Sequence, residues 1–350
     1  MKILTVIGAR PQFVKAAVIS RVVADTADLV EVIIHTGQHF DSNMSKVFFD
    51  QMGIPHPDYN LGINNLTHGA MTSKMLQGIE EICLNEKPDY LLVYGDTNST
   101  LAGALAASKL HINIAHVEAG LRSFNRQMPE EINRILTDRI SDMLFCPTST
   151  AIENLNHEGV SNSKTFLSGD VMLDAVLHYL PQAKAPETEL PQKFILATIH
   201  RQENTDNVIR LLDIFRAMND ISATLPVVIP LHPRTANLID KQKYSNIVFI
   251  NPVGYFEMLY LLKNCKLVLT DSGGLQKEAF FMSKPCVTVR DQTEWVELIN
   301  HGFNVLAGAN YQKIRILTEQ MLNKNLDFFI DLYGKGRAGN KITARLIKGI

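Results

Sequence analysis

Cysteine is scarce and poorly placed for building structure: Cys83, Cys146, Cys265 and Cys286 stand far apart and never form a CxxC pair. That spacing excludes a zinc ribbon and a disulfide framework, and buried thiols in a reducing compartment are the expectation. The histidines form no HExxH or other ligand spacing, so no metal centre is expected. Charge of one sign is lacking too. The formal net charge is −2, with no long like-charge block, which removes any global attraction to nucleic acid or an anionic membrane. An anion would have to be met by a few placed groups. No apolar run approaches the roughly 18 residues of a membrane span. The chain opens directly in the apolar run KILTVIG, without the basic segment and cleavage site of a secreted protein. A cytoplasmic protein with no nucleic-acid partner and no membrane insertion is therefore expected.

What is present is alternation. Short apolar runs, KILTVIG, VEVIIHTG, YLLVYGD, INIAHVEAG and MLFCPT, alternate with helical stretches, the pattern of a doubly wound parallel α/β sheet. The polar, proline-containing stretch QAKAPETELPQK then precedes a second series, FILATIH, PVVIPLHP, IVFINPVG, KLVLTDSGG and KPCVTVR. At 350 residues the chain exceeds the roughly 250–300 at which single cores stop growing. The expected division is residues 1–168, residues 169–335, and a C-terminal helix at 336–350 packing back on the first domain. A GxGxxG string at Gly334, Gly336 and Gly339 follows no convincing strand, and reads as a linker.

The polar residues gather just after the strands, at the carboxyl edge where open α/β sheets bind ligands. Asp271, Ser272, Gly273 and Gly274 follow a strand and open a helix, which suits a diphosphate on backbone N–H groups; the alternative is a tight turn with Ser272 as N-cap. Glu278, one turn on, could accept from ribose hydroxyls or face solvent. Gly8 to Pro11 repeats the strand-to-helix position, with Arg10 as a forked cation and Lys15 as a point charge for phosphate, or both as a solvated helix face. Asp96 and Glu118 close strands and Glu130 opens a helix. Each could transfer a proton, while Asp96 could instead cap the helix beginning near Asn98, and Glu130 could simply favour a helix N-terminus. His200, within HRQEN, suits a phosphate donor or a general acid, or a structural role. From the residues alone the reading stops at a diphosphate-bearing ligand held between two domains.

The assembled pieces GARPQFVKAA, TGQHFD, YGDTNSTLAG, HVEAGLRS, PEEINR, HRQEN, TDSGGLQKEA and KPCVTVRDQTEWVE, in order from residue 8 to about 297, resemble the non-hydrolysing UDP-N-acetylglucosamine 2-epimerases. The resemblance implies two Rossmann-like domains facing across a cleft, the GT-B architecture, and a homodimer. It implies anti elimination of UDP and its re-addition with C2 inverted, without a metal or other cofactor. Carried over by motif, Asp96, Glu118 and Glu130 would be the acid and base carboxylates, and His200 would assist the departing diphosphate. Arg10, Ser272, Gly273, Gly274 and Glu278 would hold the diphosphate and ribose of UDP, Arg290 and Lys15 would complete the charge, and Met258 would lie near the uracil.

This chain departs from the common family opening, which has Thr and Glu around the Arg-Pro pair, where Ala9, Gln12 and Phe13 stand here. That variant, with TGQHFD and RDQTEWVE, looks most like the branch acting on UDP-2,3-diacetamido-2,3-dideoxyglucuronate in O-antigen sugar synthesis. Substrate activation in the family involves a Gln-His-Arg segment. Here Gln38 and His39 remain, Phe40 replaces the Arg, and Lys74 and His232 are the further candidates for an activator site. The competing readings are a GT-B glycosyltransferase, which needs no base at C2, and a hydrolysing 2-epimerase, which releases the sugar from UDP.

Overall fold

The computed structural model describes residues 1–38 and 52–349, with the side chain of Arg10 outside the described set. By contact the chain divides into two compact units, Met1–Leu177 with Asp331–Ile350, and His178–Ile330. The crossing falls at 177/178 and 330/331, where residues 168/169 and 335/336 were expected. The reason is local. The helix Val171–Tyr179 is held to the first unit as far as Leu177, because the Asp174 carboxylate accepts from the N–H groups of Ala338 (3.1 Å) and Gly339 (2.9 Å), and Asp170 N–H donates to the Tyr333 carbonyl at 2.9 Å.

In the first unit, seven described strands are β1 (Lys2–Ile7), β2 (Val30–His35), β3 (Tyr59–Asn60), β4 (Tyr90–Tyr94), β5 (Asn113–Val117), β6 (Met143–Cys146) and β7 (Thr165–Leu167), in the parallel order β3-β2-β1-β4-β5-β6-β7. The central strands β4 and β6 are buried at every residue, which is why their sequences are continuous apolar runs with no alternation. The helix Asn98–Lys109 is rich in Ala because it lies close on the sheet. A Cβ at Gly103 would stand 3.2–3.4 Å from Val93, Val6 and Leu91.

The second unit carries β8 (Ile195–Thr198), β9 (Val227–Pro230), β10 (Val248–Ile250), β11 (Leu267–Thr270), β12 (Cys286–Thr288) and β13 (Asn304–Leu306), in the parallel order β10-β9-β8-β11-β12-β13. Strand order reverses between β1 and β4 in one sheet and between β8 and β11 in the other. These are the switch points at which doubly wound sheets open a crevice. All four cysteines are buried and free, and burial pushes the thiols of Cys83, Cys265 and Cys286 up to about 12. No described helix is long and apolar enough to cross a membrane.

The GxGxxG string is the return of the chain to the first unit. Gly334 and Gly336 have φ of 83° and 68°, and Gly339 lies against the Arg10–Ala24 helix, where a Cβ would stand 2.7 Å from Val18 Cγ1. Valine is stiff at χ1 and cannot swing away. Gly339→Leu is therefore expected to cost about 1–3 kcal/mol by overpacking, read as a lower urea midpoint. An unchanged midpoint would show that the two helices are not in close contact.

Candidate functional site

At the first switch point, glycine ends β1 because nothing larger fits: a Cβ at Gly8 would meet the hydroxyls of Thr36 and Ser99. Gln12, 1% exposed, ties the two loops of the switch point together. Its Oε1 accepts from Gly8 N–H (2.8 Å) and Ala9 N–H (3.0 Å), while Nε2 donates to the Tyr94 carbonyl (2.9 Å) and Thr100 Oγ1 (3.0 Å). The amide uses both its acceptor and its donors, so it fixes a four-part junction.

Three candidate carboxylates stand on this side of the sheet. The Asp96 carboxylate accepts from Arg134 Nη2 at 2.5 Å, and its side chain is 29% exposed where that of Arg134 is 4% exposed. Asp96 does not cap the following helix. Thr97 does, accepting from Thr100 N–H while the Thr100 hydroxyl accepts from Thr97 N–H. Glu118, just past β5, has a left-handed backbone with φ 71°, which costs a non-glycine residue about 1–3 kcal/mol. Its carboxylate is ion-paired with Lys15, which is nearly buried and whose ammonium would stand 3.2 Å from a Cβ at Gly95. Lys15, expected on a diphosphate, is thus engaged with a carboxylate. Glu130 is half-buried in the first turn of the helix Pro129–Ile140.

That helix is reversed in polarity. Its buried residues are Glu131, Asn133, Arg134, Thr137 and Asp138, while Ile132 and Leu136 are 43% and 45% exposed. Glu131, Asn133, Arg134 and Asp138 are each answered by polar groups. Glu131 accepts from the N–H groups of Ser123 and Phe124 and from the Ser123 hydroxyl, all at 2.9 Å, and pairs with Arg134 Nη1 at 3.2 Å. Asn133 donates to the Asp96 carbonyl at 3.0 Å. Asp138 takes His116 Nδ1 at 2.7 Å, Arg122 Nη1 at 2.7 Å and Gly120 N–H at 3.1 Å. Burial would raise the Asp138 carboxyl, but His116 and Arg122 bring it below its ordinary value.

In the second unit the fully buried Asp271 organises the loop after β8. It accepts from the N–H of His200 (3.0 Å) and of Arg201 (2.9 Å) and from Asn204 Nδ2 (3.2 Å). The His200 ring has Nδ1 3.4 Å from Asp271 Oδ1 and its centroid 5.6 Å from that of His232. Burial lowers the His200 imidazole, Asp271 opposes the shift, and Arg201 and Arg234 add to it.

Ser272 is the N-cap of the helix Gly273–Phe281, accepting from Leu275 N–H. The two glycines differ. A Cβ at Gly273 would strike Glu294 Oε1 and approach Arg201 Nη2 to 3.5 Å, whereas one at Gly274 would meet nothing within 4 Å. Arg290, 1% exposed, gives Nη1 to Glu294 at 3.1 Å. Glu278 is buried beside Tyr255, whose hydroxyl is pushed well above its ordinary value by burial and by that carboxylate. Met258 is half-buried against the core of the second unit.

The structure thus brings Lys15, Asp96, Glu118 and Glu130 to one edge of the first sheet. It gathers His200, His232, Ser272, Gly273, Gly274, Glu278 and Arg290 at the corresponding edge of the second. Gln38 sits with the first group, its Oε1 accepting from the Ser99 hydroxyl at 2.7 Å, while Lys74 is exposed on the helix His68–Glu86. His39 and the Arg10 side chain lie outside the described residues. Sequence reasoning passed over Gln12, Arg134, Asp138 and Glu294. The signal for two of them was available: Glu131, Arg134 and Asp138 fall at i, i+3 and i+7, one face of a helix made of charge.

The family model described as UDP-N-acetylglucosamine 2-epimerase matches residues 21–347. A UDP-2,3-diacetamido-2,3-dideoxy-D-glucuronate 2-epimerase of Pseudomonas aeruginosa is 56% identical, covering 99% of this chain and 100% of the relative. The crystal structure of the Methanocaldococcus jannaschii UDP-GlcNAc 2-epimerase with UDP-GlcNAc and UDP superposes with a TM-score of 0.94 at 44% identity over 100% of both chains. The Neisseria meningitidis UDP-GlcNAc 2-epimerase bound to UDP-GlcNAc gives 0.91 at 30% identity, again over 100% of both. Both are built on the α/β architecture described above. The chain belongs to the UDP-N-acetylglucosamine 2-epimerase family, a family of isomerases.

Proposed function

We propose that this chain is a non-hydrolysing 2-epimerase of a UDP-linked 2-acetamido sugar, with the 2,3-diacetamido glucuronate as the favoured substrate and the UDP-linked mannuronate epimer as product. The observation that carries the reading is the pair of carboxylates at the ends of adjacent strands, each tied to a buried cation: Asp96 to Arg134 and Glu118 to Lys15. Removing a proton from C2 needs a placed base, and returning it to the other face needs a placed acid. Carboxylates whose orientation is fixed by ion pairs meet that requirement. The identity of the sugar is supported by the relative at 56% identity and by the Ala9–Gln12–Phe13 variant of the first loop. We further propose a cytoplasmic homodimer serving surface polysaccharide synthesis. The exposed Ile132 and Leu136, one turn apart on one helix face, suit a contact between copies.

Elimination leaves negative charge on the diphosphate, and the loops of the second unit are suited to receive it. The open backbone at Gly274 and the capped helix start at Ser272 offer N–H groups, and His200 with Arg201 stands beside them. His200 in this reading is a neutral imidazole that gains a proton when the diphosphate arrives.

Asp96→Asn and Glu118→Gln are each expected to abolish deuterium incorporation at C2 of the UDP-linked product in deuterated water, with UDP affinity nearly intact. Equal loss of binding and turnover would count against proton transfer by these groups. Gly274→Ala should leave thermal stability equal or higher, since alanine is favoured over glycine in helices by about 1 kcal/mol, yet weaken UDP. Unchanged affinity by calorimetry would place the diphosphate elsewhere.

For His200 the sign is as follows. Its pKa in the free protein is lowered, and a bound dianion raises it, so UDP binding takes up protons and tightens as pH falls toward the ordinary histidine value of about 6.5. Calorimetry in buffers of different ionisation heat measures that uptake. His200→Asn should remove it, and equal uptake in parent and variant would assign the proton to another group.

A further inference from the structure

The His116 ring is fully buried, and both of its nitrogens face acceptors. Nδ1 lies 2.7 Å from Asp138 Oδ1, and Nε2 lies 2.7 Å from the Gly95 carbonyl oxygen. A carbonyl oxygen has no proton to offer, so Nε2 must donate. On the other side, Asp138 Oδ2 already takes Gly120 N–H and Arg122 Nη1, contacts that favour the ionised carboxylate. Arg122 is held in turn by both oxygens of Glu158, at 2.6 and 2.8 Å, and by the Leu121 carbonyl at 2.6 Å. With Asp138 ionised, Nδ1 must donate as well.

We propose that His116 is a buried imidazolium that takes no part in proton transfer and serves as the positioning residue for the three acid and base carboxylates. Three lines of contact meet at its ring. Its Nε2 clamps the carbonyl of Gly95, whose peptide leads into Asp96. Its own strand, β5, runs into Glu118, and the left-handed turn there is pinned where Gly120 N–H meets Asp138. Asp138 belongs to the helix that carries Glu130 in its first turn and directs Arg134 onto Asp96. A neutral ring could hold only one of its two partners, and would leave the other acceptor facing a lone pair at a fully buried position. The cation is compensated locally by Asp138, as Arg122 is by Glu158, so the group can stay buried.

The proposal rests on the 2-epimerase reading for its kinetic consequence and not for its protonation state, so two measurements separate them. In the full-length enzyme labelled with 15N-histidine, both ring nitrogens of His116 are expected at protonated shifts at neutral pH, with the resonance identified by its absence in His116→Gln. One nitrogen at an unprotonated shift would overturn the imidazolium. Asp138→Asn can keep every hydrogen bond only with a neutral ring, so it should move Nδ1 to the unprotonated position, and an unchanged spectrum would also overturn the proposal. In kinetics, His116→Gln should lower kcat by about tenfold or more, the scale of a small misplacement, with KM and UDP affinity within about twofold. Parent kcat in that variant, or a parallel collapse of UDP affinity, would remove the positioning role. If the parent enzyme fails to exchange deuterium at C2, the 2-epimerase reading falls while the ring spectrum still stands or fails by itself.

Discussion

Charge taken out of water must be answered by charge or by several hydrogen bonds, and the carboxyl edge of the first sheet is organised around that requirement. The helix Pro129–Ile140 turns its charged face inward, so Arg134 can reach both Asp96 and Glu131 while Asp138 reaches His116, Arg122 and Gly120. No residue in this group could be removed without leaving a partner buried and unanswered. The loops that carry Asp96 and Glu118 are tied to this helix as a result. They owe their geometry to polar contacts in a region where a conventional protein would place leucine.

The second unit solves a different problem with different means. Asp271 uses its carboxylate on backbone N–H groups to shape the His200 loop, and the helix beyond Ser272 starts with glycines. Gly273 gives room to Glu294, which in turn engages Arg290, whereas Gly274 leaves space that no protein atom fills. One glycine makes room for a side chain and its neighbour borders open space, a distinction that no inspection of a Gly-Gly pair could draw.

Much of the architecture was legible in the sequence because parallel strands buried on both faces must be apolar throughout. YLLVY and MLFC are such strands, and the polar residues just beyond them had to lie at a sheet edge. Several candidate site residues, Asp96, Glu118 and His200 among them, followed from that edge, while Arg290 and Met258 came only from the family resemblance. Their partners did not, because a partner is defined in space: Gln12 meets Tyr94 and Thr100, and Asp96 meets Arg134, across separations that no local spacing encodes. The sequence offered Asp96 as a possible cap of the helix near Asn98, and only the backbone shows Thr97 in that position, since both residue types cap well. The division by contact falls at other residues than expected for a related reason. Most of the helix Val171–Tyr179, through Leu177, belongs to the first unit, held there by Asp174 and the chain segment that returns at residue 331.

That return has a consequence for how the molecule is made. The second unit, residues 178–330, is topologically an insertion between two parts of the first. During synthesis it can leave the ribosome and close its own sheet while the first unit still lacks the helix Ala338–Lys348 that covers the Arg10–Ala24 helix. The nascent first unit must therefore keep an apolar helix face waiting through the synthesis of an entire domain, which makes that face, and not the carboxyl edge of the sheet, the place where a chaperone would be needed.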